Sequence, residues 1–221
     1  MSDRPTKKER REAARRARKE AQIRARRAQT RKRIVSVLVG AGVIGLIVAL
    51  FMISSAGKRA TVQELNDLAT SVGCTELESY PSMGAEHIGQ GETGTYERTP
   101  PDSGNHLGSG TSNTGVLDAP PPNELMTHNL EHGHVGLLYR EGIDEALITA
   151  LQDVARSDPS WVFAAQYAMP EGRDISMVAW RYRVDCPSAA DVDADTLKQT
   201  AESFVAARKG AGPESVPGSA S

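Results

Sequence analysis

The stretch VGLLYREGIDEALITALQDVARSDPSWVFAAQY, residues 135–167, decides the fold. Its first six residues, an apolar run that ends in Arg140, predict a strand, and its last seven, rich in aromatic side chains, predict another. Between the two runs, apolar residues recur at helical spacing: Ile143, Leu147, Leu151 and Val154. The sequence Ser157-Asp158-Pro159 then ends the helix. A strand, a helix and a second strand in this order predict a crossover connection within one sheet.

The segment that follows adds one strand and one helix. Met169–Asp174 contains Pro, Gly and Asp and predicts a turn. Ile175–Val184 alternates between apolar and polar residues and predicts a single strand, which makes a hairpin with the strand before it. Apolar positions from Leu197 to Val205 predict a last helix that ends at Lys209-Gly210. The expected fold class is therefore α+β, a mixed α/β domain.

The N-terminal part of this domain is expected to be mostly loops. A capping box at Thr61–Glu64 begins a helix that Gly73 ends. From Cys74 to Asn123 the chain is a long loop-rich segment with many Gly, Pro, Ser, Thr and Asn residues. Only short strands are predicted there, around Glu86–Ile88 and Thr95–Glu97.

The start of the chain predicts a membrane anchor. Residues 34–53, IVSVLVGAGVIGLIVALFMI, are uncharged, and about 20 apolar residues cross a bilayer as a helix. Residues 1–33 carry 15 basic and 4 acidic side chains, a net charge of +11, and the rest of the chain has a net charge of −13. The positive-inside rule then keeps residues 1–33 in the cytoplasm, as the basic segment before an uncleaved signal anchor.

These features predict a single-pass protein of the cell membrane. Residues 61–209 would be one extracytoplasmic domain, and residues 210–221 a disordered tail rich in Gly, Pro and Ser. The expected partners are the lipid bilayer, through residues 34–53, and anionic lipid headgroups, through the basic N-terminus. No nucleic-acid partner is expected.

Cys74 and Cys186 are the only two cysteines, one near each end of the predicted exported domain. Outside the cytoplasm such a pair is more often a disulfide than two thiols. The composition, 39% hydrophobic and 24% charged, excludes a collagen-like or wholly disordered chain, and two cysteines exclude a disulfide-dense mini-scaffold.

A cluster of histidines is the main functional signal. His128 and His132 are four apart, which places them on one face of a helical turn, and Gly133 marks the change to the following strand. Imidazole and carboxylate groups suit zinc or copper. The predicted ligands of a transition metal are His106, His128, His132, Glu131 and Glu124. A carboxylate that is not itself a ligand would orient an imidazole.

Two other interpretations stay open. The histidines can brace loop carbonyls in a non-enzymatic module that binds partners in the cell envelope. Ser103, in Pro101-Asp102-Ser103-Gly104, can instead be the nucleophile of a hydrolase with His106 or His128 as base, although no G-x-S-x-G elbow is present. The sequence decides neither the activity nor the substrate.

The segments PPDSGNH and HNLEHGHV resemble a bacterial membrane-protein family known as domain of unknown function 3105. The matching positions are Pro101, Ser103, Gly104, His106, Glu124, His128, Asn129, Leu130, Glu131, His132 and Gly133. His134 departs from the pattern, in which that position is usually small. The resemblance covers roughly Cys74 to Cys186 and implies an exported, membrane-tethered domain, without supplying an activity.

Overall fold

The computed structural model describes residues 61–110 and 112–215, and eight single positions before them. Those eight positions are Arg16, Lys19, Arg24, Arg26, Gly40, Gly42, Ile44 and Leu46, all helical and exposed. The chain divides into two compact units, Met1–Ala56 and Gly57–Ser221. Most of the predicted basic segment, most of the predicted membrane span over residues 34–53 and the end of the tail from residue 216 lie outside the described residues. Within the part of the chain that the structure describes, no helix has the length and apolar character needed to cross a bilayer.

The second unit contains helices and strands in mixed order. Residues 61–71 form helix α1, and the left-handed backbone of Gly73, at φ 75°, follows its end. The other helices are α2 (Asn123–Glu131), α3 (Glu145–Ser157) and α4 (Ala194–Arg208). The strands are β1 (Glu78–Ser79), β2 (His87–Ile88), β3 (His106–Leu107), β4 (Gly115–Val116), β5 (Val135–Tyr139), β6 (Val162–Gln166), β7 (Ile175–Ala179) and β8 (Tyr182–Cys186).

The strands form one large and one small sheet. The order in the six-stranded sheet is β1-β8-β7-β5-β6-β4. Strands β5 and β6 are parallel and are joined by α3, which is the predicted crossover. Strand β7 pairs antiparallel with both β5 and β8. Strands β2 and β3 form a separate parallel pair, with His87 opposite His106.

Both faces of the large sheet are covered. On one face Leu137 of β5 packs in a core with residues of α1, α3 and α4. Its neighbour Leu138 points to the other face, where it packs with Met126 and Leu130 of α2. Because successive side chains of a strand alternate between faces, these buried strands are apolar on both sides. Helix α2, which also contains His128 and Glu131, therefore covers the second face of the sheet.

Three predictions about strands are wrong. Ile175–Val184 is not one strand, because the chain reverses at Trp180-Arg181 and forms the β7–β8 hairpin. Arg181 takes a left-handed backbone, φ 65°, while its N–H donates to the Asp102 carbonyl. The predicted hairpin partner, β6, does not pair with β7, since β5 lies between them. Residues 95–97 form no strand either.

The predicted disulfide is confirmed. Cys74 and Cys186 are bonded to each other across 112 residues of sequence. The bond joins the chain just after α1 to the end of β8, and both residues lie in the core on the α1 side of the sheet. A crosslink over so long a loop stabilises the fold mainly by restricting the unfolded chain.

Candidate metal centre

The end of helix α2 presents the polar side chains of the site. Met126 and Leu130 bury the apolar side of the helix against the sheet. His128 and Glu131, three residues apart, lie on an adjacent side and are also buried. His132 is the C-cap, and Gly133 turns the chain into β5 with a left-handed φ of 86°. A residue with a Cβ strains this turn, which explains the glycine at the position.

The loop before β3 brings in His106. The Arg98 guanidinium makes two hydrogen bonds to the Asp102 carboxylate, of 2.7 and 2.8 Å. The Asp102 carbonyl accepts from Arg181 N–H, which fixes the loop against the β7–β8 turn. The Gly104 N–H donates to Gly84, and the backbone there is left-handed, at φ 133°. These bonds hold the loop so that the fully buried His106 lies beside Glu131 at the end of α2.

Four side chains from three segments meet at this point. One ligand atom each from His87, His106, His128 and Glu131 lies within 4.8 Å of the others. His106 Nε2 is 2.8 Å from Glu131 Oε2, and His87 Nε2 is 3.5 Å from the same oxygen. The rings of His106 and His128 stack, with centroids 5.1 Å apart. This set of three imidazoles and one carboxylate has the composition of a transition-metal site.

Backbone carbonyls fix the tautomers of the buried rings. His106 Nδ1 lies 2.8 Å from the Gly104 carbonyl oxygen, and His128 Nδ1 lies 3.1 Å from that of Gly110. A carbonyl oxygen only accepts, so each Nδ1 carries the proton and donates it. Each Nε2 is then the atom free to bind a metal. A ligand imidazole whose other N–H is held by a carbonyl is the usual arrangement in metal sites.

Burial and neighbouring imidazoles act on His128. Burial lowers its pKa from the ordinary value, and the charges that His132, His106 and His87 carry when protonated lower it further. The Glu131 carboxylate opposes this effect. The neutral, metal-binding form of His128 is therefore favoured at lower pH than in an exposed histidine.

The structure places the predicted ligands in different positions. Three of them, His106, His128 and Glu131, join the four-residue group. His132 is outside that group, although its Nε2 lies 2.8 Å from His128 Nε2. Glu124 is not in the group and accepts a hydrogen bond from Gly94 N–H instead. The structure therefore places the Glu124 carboxylate against the backbone of Gly94 and not with the four-residue group.

Sequence reasoning missed His87. It lies 19 residues before His106, in a segment for which only a short strand is predicted. The parallel register of β2 and β3 places the two residues side by side. Because this pairing is between distant segments, the spacing of residues in the sequence carries no signal of it. The only hint is that a histidine falls inside the predicted strand Glu86–Ile88.

The remaining motif residues support the loops. The Ser103 hydroxyl donates to the Asp102 carboxylate and accepts from Met83 N–H, so its observed partners are not imidazoles. The Asn129 side chain bonds the backbone of Ser112 as both donor and acceptor. Pro101 is buried beside Asp102. These contacts favour a supporting role for Ser103 over the nucleophile of the hydrolase interpretation.

The first residues of the predicted disordered tail contact the site. Gly210 N–H donates to the Gly133 carbonyl at 2.8 Å, and Glu214 N–H donates to the Glu131 carbonyl at 3.2 Å. His132 Nδ1 donates to the Glu214 carbonyl at 2.6 Å. Gly210 and Glu214 are therefore hydrogen-bonded to the end of α2 and to the turn that follows it.

Fold and site together define a class of protein: an α+β domain, closed by one disulfide, that buries a cluster of imidazoles and a carboxylate between a helix end and a small parallel sheet. The chain belongs to the family described as Protein of unknown function (DUF3105), which matches residues 87–215, more than half of its length. This confirms the resemblance inferred from the motifs. No curated protein and no solved structure was found to match the chain.

Proposed function

We propose that this protein is a membrane-anchored extracytoplasmic domain that binds one transition-metal ion, zinc or copper. The ligands are Nε2 of His106 and His128, a carboxylate oxygen of Glu131 and the imidazole of His87. The observation that carries the proposal is the meeting of these four groups at one point. His106 and Glu131 are almost fully buried there, so a bound ion would be held inside the domain.

The contacts between acceptor atoms support a cation at the site. With Nδ1 donating to Gly104, a neutral His106 has a lone pair on Nε2, 2.8 Å from the Glu131 carboxylate oxygen. His128 and His132 likewise face each other with their Nε2 atoms, and both donate from Nδ1 to a carbonyl. Two lone pairs at such a distance repel each other unless a positive charge lies with them. A metal ion or extra protons supply that charge.

The distances are close to those of a metal site. Two ligand atoms on one tetrahedral zinc ion lie about 3.4 Å apart, for a Zn–N distance of about 2.1 Å. The widest pairs of the group must therefore contract from their present limit of 4.8 Å. His87 is the member able to move, because 47% of its side chain is exposed and it comes from a strand of two residues.

The membrane part of the proposal rests on the sequence. Residues 34–53 are uncharged and follow a segment with a net charge of +11, which favours a cytoplasmic N-terminus and an exported domain. The Cys74–Cys186 disulfide supports an oxidising compartment for that domain. The basic N-terminus would lie against anionic lipid headgroups.

A second candidate function is a non-enzymatic envelope module in which the cluster only braces the fold. The contact of the His106 ring with Glu131 and the bond of the His128 ring to the Gly110 carbonyl favour it, because they tie the chain on both sides of β3 to α2. In this case protons take the place of the metal: His106 is an imidazolium paired with Glu131, and His128 shares one proton with His132.

Thermal unfolding of the full-length protein in detergent separates the two functions. A metal that binds only the folded state raises the melting temperature by mass action. We expect zinc or copper to raise it, a chelator to lower it, and His106→Ala to abolish the difference between them. Asn129→Ala is the matched control, since it loosens the Ser112 loop but keeps all four donors, and it should lower both melting temperatures equally. A melting temperature unaffected by metal and chelator in the wild type would contradict metal binding and leave the bracing function.

A further inference from the structure

The four proposed ligands differ sharply in their contact with solvent. The side chains of His106 and Glu131 are 0% and 4% exposed, and His128 is also buried. The side chain of His87 is 47% exposed. Its Nε2 lies 3.5 Å from Glu131 Oε2, farther than the Nε2 of His106 at 2.8 Å. One side of the site therefore faces water, and His87 covers it incompletely.

The support of His87 is slight as well. Strand β2 has two residues and pairs with β3 alone, in a sheet separate from the large one. Gly108 lies against one side of the ring, where a Cβ would come within 2.7 Å of Cγ. The rings of His106 and His128 lie further in, with centroids 5.0 and 5.4 Å from that of His87. The His87 ring thus lies between the buried donors and the solvent.

We infer that the coordination position beside His87 is open to exchange, and that a small ligand from solvent binds the metal there. His106, His128 and Glu131 form the permanent set, and His87 is a replaceable fourth ligand. Three protein ligands with an open position are typical of catalytic zinc sites, whereas structural sites are closed by four. This inference rests on the metal binding proposed above.

Charge and space define the class of ligand. Two neutral imidazoles and one carboxylate around a divalent ion leave a net charge of +1 at the centre. A single-atom donor that is neutral or anionic suits this charge, such as water, hydroxide, azide or an imidazole. Because His106, His128 and Glu131 are buried and His87 is half-exposed, the side of His87 is the expected route of entry for the ligand.

Cobalt(II) in the full-length protein is a suitable probe, since its visible spectrum reports the ligands and their number. We expect His87→Ala and His87→Gln to bind cobalt more weakly than the wild type, by at least about 10-fold. Loss of an outer-sphere partner of a ligand already lowers metal affinity by about 10- to 100-fold. Added imidazole should restore the wild-type spectrum of His87→Ala. Azide should change the spectrum of His87→Ala at lower concentration than that of the wild type, because in the variant azide has no imidazole to displace from the metal.

His106→Ala is the matched control, because its ring is fully buried whereas that of His87 is half-exposed. Imidazole should fail to restore its spectrum. The inference is overturned if both His87 variants lose cobalt altogether, if imidazole leaves His87→Ala unchanged, or if it restores both alanine variants equally. A wild-type protein that binds neither cobalt nor zinc would instead contradict the metal binding itself.

Discussion

His132 Nδ1 lies 2.6 Å from the carbonyl oxygen of Glu214, although 82 residues separate the two in sequence. The segment around Glu214 also donates backbone hydrogen bonds to the carbonyls of Glu131 and Gly133, so it is bonded to the turn between α2 and β5. His132 in turn faces His128 through Nε2. The C-terminal segment over residues 210–215 is therefore part of the support that positions His128.

Gly212→Ala tests this support. A Cβ at residue 212 would overlap the Glu131 carbonyl oxygen and the Gly133 nitrogen, so the segment must move away. We expect a loss of stability of about 1–3 kcal/mol, as for other overpacked contacts, and weaker zinc binding because His132 loses its carbonyl partner. Chemical denaturation and zinc titration measure the two effects. Glu214→Ala keeps every backbone bond and is the control. Equal behaviour of the two variants would show that the segment does not support the site.

Local patterns explain which elements the sequence predicts. Strand β5, helix α3 and strand β6 follow directly from apolar runs and helical spacing. The β7–β8 hairpin does not, because Trp180-Arg181 is not a typical turn pair and alternation continues through it. Contacts with the rest of the protein hold Arg181 in its left-handed conformation, with Nε donating to the Tyr80 carbonyl. Such a turn is set by distant residues rather than by its own sequence.

The candidate site likewise combines residues that are close in sequence with residues that only the fold brings together. His128 and Glu131 are predicted together because they are close in sequence on one helix. His87 joins them through the register of two distant strands, which no local pattern encodes. Glu124, which shares α2 with the ligands, lies near its start and points to a different loop. The residue types in the sequence indicate the chemistry of the candidate site. Contacts between distant segments determine which of those residues lie together in it.

A second prediction concerns the ion pairs of Asp102, which lies in the loop before His106. Asp102 is fully buried, binds Arg98 through both oxygens and lies 3.9 Å from the buried Arg183. Asp102→Ala leaves the Arg98 guanidinium without its carboxylate, whereas Arg183 keeps its ion pair with Asp185. Removing one partner of a buried pair typically costs about 3–5 kcal/mol. Because the same loop delivers His106, zinc affinity should fall too. Asp153→Ala, which breaks exposed pairs with Lys198 and Arg156, should change stability by less than about 1 kcal/mol. Denaturation curves that place both variants together would contradict the buried role.

A third prediction concerns the direction of the membrane anchor. If residues 34–53 span the bilayer with the basic segment inside, a reporter fused after Ser221 lies outside the cytoplasm. A reporter that is active only after export should then give signal, and one that is active only in the cytoplasm should not. Reversing the charges of the basic residues in 24–33 should weaken this preference, because they lie within the distance at which basic residues set orientation. The opposite reporter pattern in the unmodified protein would contradict the proposed topology.

The last prediction follows from the lowered pKa of His128 in the folded, metal-free protein. Between the unfolded pKa, near ~6.5, and the lower folded pKa, the unfolded chain binds more protons at this residue than the folded one. Stability therefore rises with pH through this window, is fully present above ~6.5, and is lost as the pH falls through the folded pKa.

Denaturation of the chelated protein from pH 8 to pH 5 should show this loss. His128→Gln removes the titrating group, so its free energy of unfolding should depend less steeply on pH than that of the wild type. Asn129→Ala is the control, since it loosens the Ser112 loop beside the cluster but removes no titrating group. With zinc bound, the wild type should lose stability more steeply on acidification, because protons also displace the metal from its imidazoles. Equal pH dependence of the wild type and His128→Gln without metal would show that His128 does not titrate differently in the folded state.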